Sequence, residues 1–97
     1  MSTDLSTDTL VKLKVPSLYK VVLLNDDYTP MDFVMQVLEE IFNKTAAQAQ
    51  ALCMEVHQAG KGVAGIYSKE VAEQKVYEVN TVARSYRHPL KTIAEVA

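Results

Sequence analysis

Tryptophan is absent, and cysteine, glycine and proline are scarce, at one, three and three residues. A single cysteine excludes an intramolecular disulfide and any multi-cysteine zinc module, and it suits a reducing compartment. There is also no concentrated basic face. Ten Lys and Arg stand against twelve Asp and Glu, for a net charge of −2, which argues against nucleic acid as the main partner because phosphate neutralisation needs clustered cations. No apolar run is long enough to span a membrane. The first residues, MSTDLSTDTLVKLKVPS, lack a basic segment followed by a continuous apolar one and do not read as a secretory signal. Nor is there a phosphate loop, a nucleophile elbow or a metal-ligand motif, so no cofactor and no metal are expected.

What is present is apolar material: 48% of 97 residues. That supports one core, since two would each be too small to hold together. A chain of this size buries only about 60–70% of its unfolded surface, which favours a shallow surface site over a deep cavity. Residues 1–16 are rich in Ser, Thr and Asp and are expected to form a flexible N-terminal arm, because they bury too little to offset the entropy of ordering. Residues 17–97 are expected to form one domain, with no repeat or linker dividing them.

The pattern from Tyr19, YKVVLLN, is short, apolar and β-branched and predicts a strand ending at a turn over 25–28. Thr29 is then a candidate N-cap, with Pro30 in the first turn and Asp32 at N3. Met31, Val34, Met35, Leu38 and Phe42 follow at helical spacing until Asn43. Thr45 with Gln48 predicts a capping box opening a second helix, with Ala46, Ala49, Leu52, Cys53 and Val56 as its stripe and Gly60 as its end. GKGVAGIY predicts a turn and strand. Ser68 can cap a third helix carrying Ala72, Val76, Val79 and Ala83, which Pro89 prevents from continuing, and LKTIAEV predicts a last strand. The order β-α-α-β-α-β predicts an α+β two-layer sandwich, a three-stranded antiparallel sheet packed by helices.

Asn25, Asp26 and Asp27 follow an apolar strand directly and admit three readings. They can be an ordinary solvated turn, since turns prefer Asn and Asp. They can be an acid/base pair, although neighbours on an extended chain point to opposite faces and do not converge on one atom. Or that same alternation puts Asn25 and Asp27 on one face, an amide oxygen beside a carboxylate, as a receptor for a primary ammonium. Such a cation has three N–H donors and needs a third acceptor, for which His57 is a candidate. His57 on its own is also an ordinary surface or core residue. Cys53 and His57 lie one helical turn apart, the spacing of a metal pair or a Cys-His nucleophile. Two ligands do not make a zinc site, and Cys53 on an apolar stripe reads as a small hydrophobe.

LNDDYTPMDFV, then VHQAGKGVAGIYSKEVAEQKV, then HPL, in that order, resemble the ClpS adaptor family over residues 17–97. The resemblance implies a non-enzymatic adaptor of the bacterial N-end rule, in the bacterial cytoplasm. Such a protein binds the first residue of a substrate and delivers it to the N-domain of a ClpA-type unfoldase with its ClpP protease. By resemblance, Asn25, Asp27 and His57 hold the substrate α-amino group with Asp26 in the same acidic wall. Thr29, Pro30, Met31, Val34, Cys53, Val56 and Leu90 line a pocket for Leu, Phe, Tyr or Trp, with Met31 as the gate. Glu70 and Lys75 resemble the unfoldase docking face. Where the family often has methionine this chain has Cys53, which puts the ranking among those side chains in question. The C-terminal domain of the ribosomal stalk protein offers a similar fold as a pure interaction module. A small Cys53-His57 hydrolase is the enzymatic alternative, without an evident third residue to orient His57.

Overall fold

A computed structural model describes residues 16–97; the expectation of an arm over 1–16 falls almost wholly outside them. Three strands, β1 (Tyr19–Leu24), β2 (Lys61–Tyr67) and β3 (Lys91–Val96), and three helices, α1 (Met31–Glu40), α2 (Ala46–Ala59) and α3 (Lys69–Ser85), follow in the order β1-α1-α2-β2-α3-β3. The strands form one antiparallel sheet ordered β2-β1-β3. Leu24 therefore stands opposite Lys61 on one side and Lys91 on the other. The register of β2 shifts between Val21 and Val22, leaving Ala64 as the extra residue of a bulge, fully buried.

Val21, Leu23, Leu38, Ala49, Ala72 and Val79 are the most deeply buried part of a core to which all three helices contribute. Two start signals operate as the sequence predicts. The Thr45 hydroxyl accepts from the Gln48 N–H and the Gln48 side chain accepts from the Thr45 N–H, and the Ser68 hydroxyl accepts from the Val71 N–H. The third does not. Pro30 is the N-cap of α1 and makes no side-chain capping bond, because the Thr29 hydroxyl donates to Asp26 instead. Two apolar positions also face outward: Ala46 is exposed on the first turn of α2, and Met31 is 47% exposed. Val37, outside the expected stripe, is buried beside Leu38.

Each helix ends on a left-handed residue nearby in the chain, and the three differ: Asn43 (φ 55°), Gly60 (φ 89°) and Arg87 (φ 61°). The conformation turns the chain back so that later N–H groups reach the last carbonyls. Lys44 N–H donates to Leu38 C=O, Gly60 N–H to Val56 C=O and His88 N–H to Ala83 C=O. Glycine adopts it freely and asparagine tolerably, whereas arginine there costs about 1–2 kcal/mol. Lys75 secures the end of α1 from a distance, its ammonium donating to Ile41 C=O at 2.7 Å and lying over the rings of Phe42 and Tyr67. Asn80 on α3 pairs with the backbone of Thr92: its amide donates to the Thr92 C=O and accepts from the Thr92 N–H.

Candidate functional site

The ends of β1, α2 and α3 meet the start of α1 around one hollow. It encloses about 440 Å³, open mouth included, and is lined by Leu24, Asn25, Asp26, Thr29, Met31, Val34, Cys53, Val56, His57 and Leu90. Its lining is apolar apart from Asn25, Asp26 and Thr29 on one wall and His57 on the other, so it suits a single apolar side chain attached to a polar group.

The polar wall is built by the turn between β1 and α1. β1 stops at Leu24, so the two-residue alternation that would put Asn25 and Asp27 on one face does not extend to them. The chain turns instead, and Asp26 organises it: one carboxylate oxygen accepts from the Tyr28 and Thr29 N–H groups at 2.8 Å, and the other accepts from the Thr29 hydroxyl at 2.8 Å. Burial pushes the Asp26 pKa up, but these hydrogen bonds, together with the charge of His88, outweigh it and hold the carboxyl below its ordinary range. The Asn25 N–H donates to the Gly60 C=O at 2.9 Å, which fastens this wall to the end of α2.

Asp27 is exposed and does not line the hollow, though it follows two residues that do. It makes no hydrogen bond among the described residues, so its carboxylate is available where that of Asp26 is largely engaged. Pro30 faces a separate hollow with Asp32, Phe33, Gln36, Tyr86 and His88. There the Phe33 ring meets His88 edge-on at 4.6 Å and Tyr86 at 5.6 Å.

The opposite wall comes from α2. Its spacing puts Cys53, Val56 and His57 toward the hollow, the first two buried and His57 exposed on the last turn, where the helix dipole favours a cation. Burial pushes the Cys53 thiol pKa up, the reverse of what a nucleophile needs. No hydrogen bond joins it to His57 among the described residues. No group of three or more His, Cys, Asp and Glu there is arranged to hold a metal ion, and no described helix is long and apolar enough to cross a membrane. Leu90, buried just after the α3 reversal, closes the hollow. Leu24 is the lining residue that sequence reasoning missed; its place as the last residue of the strand before Asn25 was the available signal.

Away from the hollow, Glu70 is exposed in the first turn of α3. Lys75 is half-buried, with one of its ammonium donors held by the Ile41 C=O.

Residues 14–93 match the family model of the ATP-dependent Clp protease adaptor protein ClpS. The chain is 52% identical over 92 residues to the ATP-dependent Clp protease adapter protein ClpS of Hyphomonas neptunium, covering 95% of this chain and 78% of that protein. It is 54% identical over 85 residues to that of Hydrogenovibrio crunogenus, covering 88% and 82%. Among solved structures it is similar to Agrobacterium tumefaciens ClpS2 bound to L-phenylalaninamide, at a TM-score of 0.84 and 35% identity over 86% of this chain and 100% of that one.

Proposed function

The chain belongs to the ClpS family, and on that premise we propose that its hollow seats the first residue of a substrate polypeptide. It is an adaptor and not an enzyme: it binds N-degron substrates and delivers them to a ClpA-type unfoldase and ClpP. The finer assignment is ours. The hollow takes a Leu, Phe, Tyr or Trp side chain against Met31, Val34, Cys53, Val56 and Leu90. At its mouth Asn25, His57 and the carboxylates of Asp26 and Asp27 receive the α-ammonium. Asp26 shapes the turn, and Asp27, which makes no hydrogen bond among the described residues, supplies negative charge.

The observation that carries this reading is the junction of an apolar hollow with Asn25, Asp26 and His57 on its rim. The bound L-phenylalaninamide of the Agrobacterium protein, a bulky side chain beside a free amine, supports it. Burying one such side chain contributes about 1.5–3 kcal/mol, and each charge-assisted hydrogen bond roughly the same before association costs. Together they reach about micromolar binding, adequate for a carrier. Cys53 leaves more room in the wall than a methionine would, so the ranking among the four side chains shifts, while Met31 at the mouth disfavours β-branched ones. Docking to the unfoldase uses Glu70 and the exposed side of α3, and the adaptor works in the bacterial cytoplasm.

The test compares labelled peptides identical except at the amine. Acetylation removes the charge and leaves the rim acceptors desolvated and unpartnered, so a loss of about 3 kcal/mol is expected. Equal affinity of acetylated and free peptides refutes the receptor.

A further inference from the structure

On the far side of Leu90 lies a second, shallower hollow of about 710 Å³, open mouth included. Its lining includes Arg84, Arg87, His88, Leu90 and Lys91 and contains no carboxylate. Lys20 with Glu95 is the ion pair found among the described residues, and none of these three permanent cations has a carboxylate partner among them. The chain as a whole carries −2, which makes the local excess the more specific. The C-terminal end of α3 accounts for part of it, but that end is equivalent to roughly half a negative charge, against three positive ones. The side chain of Arg87 is moreover held on a left-handed backbone, φ 61°, at a reversal that glycine completes without strain in α2. Strain kept in this way concentrates at binding sites.

We propose that this cationic hollow is a second recognition subsite, which takes acidic side chains of the substrate polypeptide beyond the residue seated in the first hollow. The proposal rests on the first-residue reading. Leu90 lines both hollows, so they are neighbours on the surface, and a chain held in the first by its first residue and continuing toward the end of α3 meets the second. Guanidinium groups match carboxylates in geometry and charge. Asp26 and Asp27 hold negative charge at the first mouth, so an acidic residue immediately after the first is repelled. The favourable zone therefore begins beyond the second residue.

The test uses the full chain and fluorescent peptides that begin with Leu, share a neutral body and carry either two Asp or two Lys at the third to fifth positions. At low ionic strength the Asp peptides are expected to bind about two- to tenfold more tightly than the Lys peptides, a gap that closes as salt is added. Arg87→Gly, which relieves strain and should fold, and Lys91→Glu shrink or reverse that preference while leaving the neutral peptide unchanged. Two results overturn the proposal: acidic and basic peptides bound alike while the neutral one binds normally, or a preference that survives both substitutions. A change confined to unfoldase binding overturns it equally. If no free-amine peptide binds better than its acetylated form, the first-residue reading itself fails, and that outcome is separable from the others.

Discussion

The ends of α2 and α3 both reverse through a left-handed residue beside the same hollow, to which α2 brings Cys53, Val56 and His57 and the segment after α3 brings Leu90. His57 stands three residues before Gly60 and Leu90 three residues after Arg87. Gly60 completes its turn without strain, and a Cβ there meets no atom within 4 Å, so only the backbone angle calls for glycine. Arg87 makes its turn against its own preference. The first end is tied to the acidic turn by a backbone hydrogen bond from Asn25, which pH in the ordinary range does not touch. The second faces it through His88, whose charge lowers the Asp26 pKa. One end therefore sets geometry and the other contributes electrostatics, and the two can be perturbed separately.

The largest expected effect removes what both ends converge on. Asp26→Ala orphans the Tyr28 and Thr29 N–H groups and the Thr29 hydroxyl, and is expected to cost about 2–3 kcal/mol of stability, measured by urea titration. Asp26→Asn tests the electrostatic part. Because the folded-state pKa is depressed, the carboxylate's contribution is complete above its unfolded value, near 3.8, and is lost as pH falls through the lower folded value. Stability of the Asn variant should accordingly change less than wild type below about pH 4; parallel acid profiles would deny Asp26 that role.

Gly60→Arg places at the first end the residue used at the second. With no steric obstacle, the backbone strain alone should cost about 1–2 kcal/mol, and peptide affinity should fall because Asn25 and His57 both hang from this turn. The smallest effect is the reverse exchange. Arg87→Gly relieves similar strain but loosens the unfolded chain by about 0.4–1 kcal/mol, for a net stabilisation between about zero and 1.6 kcal/mol. A destabilised Arg87→Gly protein would mean that the arginine side chain holds the fold, and the contrast between the ends would disappear.

The parts of this structure legible in the sequence are those decided within a few residues. The Thr45–Gln48 box, Ser68 and Gly60 act through neighbours three or four positions away, and the strand and helix periods sort most of the core. The remainder depends on partners that local pattern does not contain. Thr29 has the sequence of a cap, yet its hydroxyl turns to Asp26 because the chain has already left the strand at Leu24. Asn25 lines the hollow and Asp27 does not, a difference that simple alternation does not anticipate. Lys75 looks like a free surface cation until Ile41, 34 residues earlier, supplies an acceptor. Most of the residues gathered around the hollow came from a motif resemblance, and their neighbourhood is an observation of the fold; Leu24 joined them only when β1 was seen to end at its rim.

The amide of Asn80 clasped to Thr92 has a consequence for a molecule that handles loose polypeptide. Unfolding chains add readily to bare strand margins, each new layer offering another. At Thr92 the polar groups that would invite such growth are already occupied by a side chain imitating a strand, and on the other margin the bulge at Ala64 breaks the straight run a newcomer would need. Both margins of the sheet are thus blunted at one point each, which makes them poorer templates for a loose cargo strand.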